Sequence, residues 1–218
     1  MTIRGVLFDF SGTLFRLEAT EGWLDGLMDD AEAAEMMRRL TAPVASEEGL
    51  PEDFERRDLD QAAHRSVHVE MLVRSGVPGY DVAEAIYDRL LEPTSWRPYP
   101  DTASALRTLR EQGVPAAVVS NIGWDIRVVF KHYDLLDQVD EVFMSYVEGM
   151  IKPEPEFFRI ACERIGLPPD QVLMIGDSEE ADGGAAALGC SVAIVPPLPS
   201  DQRTDALIGA LKAHGLIT

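Results

Sequence analysis

Lysine is scarce in this chain: only Lys131, Lys152 and Lys212 stand in its 218 residues. Cations as a whole are few, 19 lysines and arginines against 38 aspartates and glutamates, for a formal net charge of −19. A field of that sign repels nucleic acid and anionic lipid, so neither is an expected partner. It also repels anionic substrates, and a site that handles an anion here needs a metal ion or local cations to reverse the potential. Long apolar runs are missing too, none approaching the roughly 20 residues that span a bilayer. Met1-Thr2-Ile3-Arg4 leads straight into an apolar stretch, which leaves no room for a signal peptide. Cysteine is limited to Cys162 and Cys190, without the spacing of a metal or redox motif. Buried free thiols in a cytoplasmic protein are the expectation. Repeats and low-complexity tracts are absent as well.

What is present is a composition with a core to bury, 46% hydrophobic and 26% charged, long enough for one large domain or a domain with an insertion. It is organised around Val6-Leu7-Phe8-Asp9-Phe10-Ser11-Gly12-Thr13-Leu14. Val6–Phe8 is apolar on both faces, as a buried parallel strand is. In an open α/β sheet ligands bind at the carboxyl ends of the strands, where Asp9 falls. Gly12 lets the chain turn there without a Cβ penalty. A carboxylate in that place serves as nucleophile, metal ligand or both. Alone, it is equally a solvated strand end.

After Leu14 the alternation of strand and helix signals stops for about eighty residues. Glu21–Leu40, Leu59–Ser75 and Asp81–Leu91 carry helical periodicity, separated by turn-formers at Pro43, Pro51 and Gly76-Val77-Pro78-Gly79. Pro93, Pro98 and Pro100 mark a stiff return. Helix and strand then alternate: helices over Thr102–Gln112, Ile126–His132, Pro155–Ile165, Ala181–Leu188 and Thr204–His214, strands over Ala116–Val119, Glu141–Met144, Val172–Ile175 and Val192–Val195. Such alternation predicts an α/β fold with a doubly wound parallel sheet, to which the first strand also belongs. The expected organisation is a core of residues 1–15 and 98–218 with an all-helical cap, residues 16–97, inserted into it.

Three of these strands end in polar groups: Asp9, Ser120-Asn121, and Gly176-Asp177-Ser178 with Asp182 following. Lys152 precedes a helix in Gly149-Met150-Ile151-Lys152-Pro153. Gathered at one sheet edge, two carboxylates suit Mg²⁺, which prefers oxygen ligands and keeps several waters. A lysine, a hydroxyl and an amide suit phosphate oxygens. Clustered carboxylates also repel one another, and Mg²⁺ with Lys152 offsets that repulsion.

The set resembles the haloacid dehalogenase superfamily, specifically hydrolases whose helical cap is inserted after the first motif. Asp9–Thr13 is similar to the family's Asp-x-Asp-Gly-Thr nucleophile loop, Ser120 to its second-strand Ser/Thr, Lys152 to its lysine, and Gly176-Asp177-Ser178 with Asp182 to its acidic motif. The resemblance covers nearly the whole chain. It implies a Rossmann-like core and a Mg²⁺-dependent phosphatase acting on a small phosphorylated metabolite, as a monomer or homodimer. Asp9 attacks phosphorus and becomes an aspartyl-phosphate. Asp9, the Ser11 carbonyl and Asp177 hold Mg²⁺, with Asp182 behind them. Ser120 and Lys152 take the phosphoryl oxygens, and Gly12 and Thr13 join them in binding the substrate.

Ser11 is where the chain leaves the family pattern. Most family phosphatases carry there a second Asp that protonates the leaving oxygen and then activates water. A serine does neither near neutral pH. Such help is typically worth 10²–10⁴-fold, or roughly 3–5 kcal/mol of barrier. Dehalogenases of the family carry an aromatic residue at this position, need no metal and usually lack the acidic Gly-Asp. Phosphonate hydrolases use a cap lysine, and the insert has none. Cation-pumping ATPases carry Thr and keep a long-lived aspartyl-phosphate, a precedent for a slow, phosphate-binding or partner-binding member.

On the substrate side Asn121, Trp124 and Arg16 are candidates, Arg16 with Glu18 lying near the hinge. Trp124 suits packing under the cap as well as contact with substrate. His64 and His68 share a helical face at i, i+4 beside Arg65. No further metal-ligand pattern joins them, and a hydrogen-bonded face is the expectation. Trp23, Met36 and Met37 are expected in the core of the cap.

Overall fold

The protein is seen here in a computed structural model that describes residues 2–18, 22–40 and 50–217, with backbone alone for 37, 39 and 40. The chain opens with β1 (Gly5–Phe8), all four residues buried. A short strand, β2 (Phe15–Leu17), follows, then three helices, α1 (Asp30–Leu40), α2 (Gln61–Arg74) and α3 (Tyr80–Leu90). β3 (Trp96–Pro98) comes back antiparallel to β2, pairing Phe15 with Pro98 and Leu17 with Trp96. Alternation begins with α4 (Thr102–Glu111), β4 (Ala116–Ser120), α5 (Arg127–His132) and β5 (Glu141–Met144). It continues through α6 (Ser145–Glu148), α7 (Pro155–Arg164), β6 (Val172–Gly176), a 3₁₀ segment over Asp182–Leu188, β7 (Ser191–Ile194) and α8 (Ala206–Ala213). No helix among the described residues is long and apolar enough to cross a membrane.

The core is a five-stranded sheet in the order β5-β4-β1-β6-β7, every pairing parallel. β1 takes the centre, with Phe8 between Val118 of β4 and Ile175 of β6. Successive side chains of a strand point to opposite faces. Val6 and Phe8 accordingly join Leu106, Leu109, Phe130, Leu207 and Leu211 on one side. Leu7 joins Phe157, Phe158 and Ala161 on the other. Helices cover both faces, which is why β1 is apolar throughout rather than alternating. Cys162 and Cys190 sit in the second layer as buried free thiols, their sulfurs 4.0 Å apart.

Residues between β2 and β3 bury a cluster of their own, Leu24, Met36, Leu72, Ile86 and Leu90 among them. Trp23 packs at its margin and donates its indole N–H to the Ser95 hydroxyl at 2.8 Å. The first helix starts at Asp30, well after the expected Glu21, which lies outside the described residues, as do Pro43 and the Met37 side chain. Gly22 and Gly26, at φ +74° and +81°, hold the preceding segment in turns. Asp29 and Glu32 then form a reciprocal cap, the Glu32 N–H donating to the Asp29 carboxylate at 2.9 Å. Asp60 likewise starts α2, accepting the Ala63 N–H at 2.9 Å. The β2–β3 ribbon was not legible as strand, being three residues long on each side with Pro98 in it.

The inserted helices touch the core beside β4. The Ser145 hydroxyl donates to the Asp58 carbonyl and accepts the Ile122 N–H at 2.8 Å. Gly123 lies so close that a Cβ there would stand 2.5 Å from the His64 Cβ and 2.6 Å from the Arg57 carbonyl oxygen. Gly123→Ala is therefore expected to wedge this contact open and to cost about 1–3 kcal/mol, as overpacking does. Denaturant unfolding of the two proteins measures it, and equal stability would show that the contact yields without strain.

Candidate active site

The adjacency of β4, β1 and β6 brings three strand ends side by side: Ser120-Asn121, Asp9 and Gly176-Asp177. The Asp9 N–H is held by the Ile175 carbonyl at 2.9 Å. Lys152 reaches in from the loop before α7, its ammonium 2.7 Å from Asp9 Oδ1 and 2.6 Å from Asp182 Oδ1. All three of these residues are buried. The Asn121 side chain fixes the Lys152 backbone from both ends, accepting its N–H at 2.7 Å and donating to its carbonyl at 2.9 Å. Both polar ends of the Asn121 amide are thus engaged by Lys152, and its place in the site is as a clamp on that residue.

Glycine is needed at two points of this geometry. A Cβ on Gly176 would lie 2.0 Å from the Asp182 carboxyl carbon, so only glycine lets Asp182 in behind the strand. Gly12, at φ +74°, would put a Cβ 2.4 Å from Asp177 Oδ2. The carbonyls of Gly12 and Thr13 both accept from the buried Arg203 guanidinium, the first at 2.7 Å. That guanidinium lies over the Tyr99 ring at 3.2 Å. Nothing in the sequence pattern singled Arg203 out, because its partners are backbone atoms 191 and 190 residues away.

Burial raises the carboxyl of Asp9 above its ordinary value, and Lys152 opposes that rise. Burial likewise opposes the charge on Lys152, yet Asp9 and Asp182 together hold its ammonium above the usual lysine value. Asp177 is pushed up to about 7, by burial first and then by the charges of Asp9 and Asp182. One ammonium does not balance three carboxylates. Asp9, Asp177 and Asp182 each offer an oxygen within 4.8 Å of the others, a donor set of hard oxygens that a divalent cation fits. The Asp182 oxygens already face Lys152 and the Ser178 N–H, the latter at 3.0 Å, so Asp9 and Asp177 are the ones available to a cation.

Ser120 is buried at the end of β4, and the Thr13 hydroxyl is buried without a hydrogen-bond partner among the described residues. Arg16 is not brought to the carboxylates: it lies in β2, its guanidinium bonded to the Pro197 carbonyl and paired with Glu18 at 3.5 Å. Trp124 packs against Trp96, with centroids 5.9 Å apart, and edge-on to Phe10 at 6.3 Å. It also borders a cavity of about 270 Å³ that reaches Ser11 and Asn121 from the side of His64, His68 and Tyr87. The two histidines stack at 4.0 Å, His64 Nδ1 bonded to the Tyr87 hydroxyl at 2.7 Å and His68 Nδ1 to the His64 carbonyl at 2.7 Å. They form the hydrogen-bonded face that their spacing allows, turned toward the site.

Known proteins share the family and the fold of this chain. The sequence model of the haloacid dehalogenase-like hydrolases matches residues 3–189. Phosphoglycolate phosphatase from Nitrosospira multiformis is 28% identical over 203 residues, 90% of this chain and 84% of the relative. A HAD phosphatase from Thermococcus onnurineus, of known crystal structure, superposes with a TM-score of 0.59 at 26% identity, over 98% of both chains. L-2-haloacid dehalogenase from Xanthobacter autotrophicus shares the fold, with a TM-score of 0.67 at 23% identity over 99% of this chain and 85% of that one.

The wall of the cavity has a pH signature. Burial, then the neighbouring His68 and Arg57, lowers His64 from 6.5 to about 3, so the folded state keeps its ring neutral. A depressed histidine contributes stability that is present above pH 6.5 and lost as pH falls through about 3. Between those values the unfolded chain binds the extra proton. The stability advantage of wild type over His64→Gln should shrink as pH drops from 7 to 4, by up to about 3 kcal/mol. Denaturant unfolding at the two pH values checks it. A constant gap would mean that His64 takes up its proton in the fold as readily as in the unfolded chain.

Proposed function

The chain belongs to the haloacid dehalogenase-like hydrolases, and from that premise we propose that it is a Mg²⁺-dependent phosphatase of small phosphorylated metabolites. The observation that carries this reading is the pairing of Asp9 with Asp177 beside one buried lysine. Asp9 is the nucleophile. Lys152 keeps its carboxylate ionised and aimed, and receives phosphoryl oxygens together with the Ser120 hydroxyl. Phosphoryl transfer asks mainly for such positioning and charge neutralisation. Asp9, Asp177 and the Ser11 carbonyl would hold Mg²⁺, with Asp182 bracing Lys152 from behind. Bound there, the cation supplies charge neutralisation for the incoming phosphate. Water then hydrolyses the aspartyl-phosphate. The helices of residues 16–97 act as the cap that admits and selects the substrate, and the β2–β3 ribbon is its hinge.

The rival within the family is displacement of halide from a 2-haloacid by Asp9, a metal-independent reaction. Asp177, which adds charge against Asp9 and brings no benefit to that reaction, speaks for phosphate. A phosphate-binding or partner-binding member with little turnover is the reading from another class. A panel of phosphorylated metabolites and an aryl phosphate, assayed with and without Mg²⁺, separates them. The expected result is phosphate release that chelator abolishes and Mg²⁺ restores. Halide release in chelator would identify a dehalogenase, and Mg²⁺-dependent stabilisation without phosphate release a binder.

Two variants test the assignments. Asp9→Asn should fold and lose more than roughly 10³-fold in turnover, because the amide is not nucleophilic. Asp177→Ala should lose both activity and the rise in melting temperature that Mg²⁺ gives by mass action. A tenth of wild-type activity in the first, or an unchanged response to Mg²⁺ in the second, would remove the residue from its role.

A further inference from the structure

The 270 Å³ cavity at Ser11 is not the only opening onto the site. A cleft of about 920 Å³ runs past Lys152 and Ser178 under the segment that precedes α2. Among the described residues, only Asp58 and Asn121 border both spaces. The Asn121 amide is already engaged by the Lys152 backbone at both ends. That leaves the Asp58 carboxyl as the ionisable group where the Ser11 side and the Lys152 side of the site meet. Its backbone is anchored there, since the Asp58 carbonyl takes the Ser145 hydroxyl, which in turn holds the loop after β4. Gly123 allows this close approach.

We propose that Asp58 is the proton-transfer residue of the phosphatase reaction, facing the site from the cap in place of the carboxylate that Ser11 does not provide. This rests on the phosphatase reading above. In the first step an Asp9 oxygen bonds to phosphorus, the ester P–O bond breaks, and the Asp58 carboxyl proton passes to the leaving oxygen, which departs as an alcohol. In the second step a water oxygen bonds to phosphorus and the bond from Asp9 to phosphorus breaks. Asp58 takes one water proton, so hydrogen phosphate leaves and both aspartates return to their starting states. The charged and titratable groups facing Asp58 are Arg57, 3.5 Å from its carboxylate, His68 and Lys152. Burial nonetheless holds its carboxyl above the usual aspartate value, which favours the proton-bearing form needed first. His68 stays neutral beside it, because burial lowers its ring. Its proton is on Nδ1, since the His64 carbonyl can only accept.

The test compares wild type, Asp58→Asn, Ser11→Asp and the double variant on an alkyl phosphate and on 4-nitrophenyl phosphate, whose leaving group needs no proton. Rapid quench follows the phosphoenzyme and its decay. Asp58→Asn should lose about 10²–10⁴-fold in kcat/KM on the alkyl ester, and less than about tenfold in phosphorylation by the aryl ester. Ser11→Asp should restore alkyl turnover to Asp58→Asn at least about tenfold, by returning the carboxylate from the other wall. If Asp58→Asn does not fold, Asp58→Ser carries the same comparison. Equal losses on both esters, or no loss on either, would overturn the role of Asp58 while leaving the phosphatase reading intact. Failure of the wild type to form phosphoenzyme or release phosphate from either ester would remove both.

Discussion

The structure depends on a buried ammonium. Lys152 lies between Asp9 and Asp182 at 2.7 and 2.6 Å, with almost no exposure to water. Removing one member of such a set leaves an uncompensated charge in low dielectric, at a cost of about 3–5 kcal/mol. The elements around it are arranged to keep it in place. Asn121 grips its backbone, Gly176 makes room for Asp182, and the Ser178 N–H satisfies the second Asp182 oxygen. In a chain with three lysines and a net charge of −19, this ammonium is a buried cation that offsets part of the carboxylate charge around it.

A fixed ammonium is what this acidic chain sets toward an anion at that point. The long-range field is unfavourable, but field strength near a buried cation depends on its immediate surroundings. Asp177, beside Asp9, adds to the carboxylate excess and completes a set of hard oxygens that a divalent cation fits. The cap answers a separate need. Ser11 removes a carboxylate from the nucleophile loop, and the face opposite it is lined with titratable groups, Asp58, His64 and His68, rather than with hydrocarbon alone.

Much of this was legible in the chain. Strand ends at Asp9, Ser120 and Asp177 follow from apolar runs that stop abruptly, and a parallel sheet gathers such ends at one edge. The helix starts were less so. Residues 22–28 share the hydropathy of the helix after them, and only the paired glycines and the Asp29–Glu32 cap set the boundary at Asp30. The 3₁₀ segment over Asp182–Leu188 has a helical pattern, yet Asp182 at its start is drawn onto Lys152 and Ser178. The hold of Asn121 on the Lys152 backbone was not legible, because it leaves no mark on residue spacing. Arg203 and Asp58 were illegible for a like reason: Arg203 is placed by distant backbone carbonyls and Asp58 by the distant Ser145 hydroxyl, and periodicity carries no information about such contacts.

The grip of Arg203 on the Gly12 and Thr13 carbonyls also orders events during synthesis. Gly12 and Arg203 are 191 residues apart, and a ribosome adding roughly 5–20 residues per second needs about 10–40 s to cover that distance. Through that interval β1, apolar on both faces, waits first for β4 and then for β6, and needs shelter from other nascent chains. The loop bearing Asp9 is thus translated early and secured late. A product that stops short of Arg203 carries Asp9 without the guanidinium that holds the turn after it, so incomplete chains lack this part of the site.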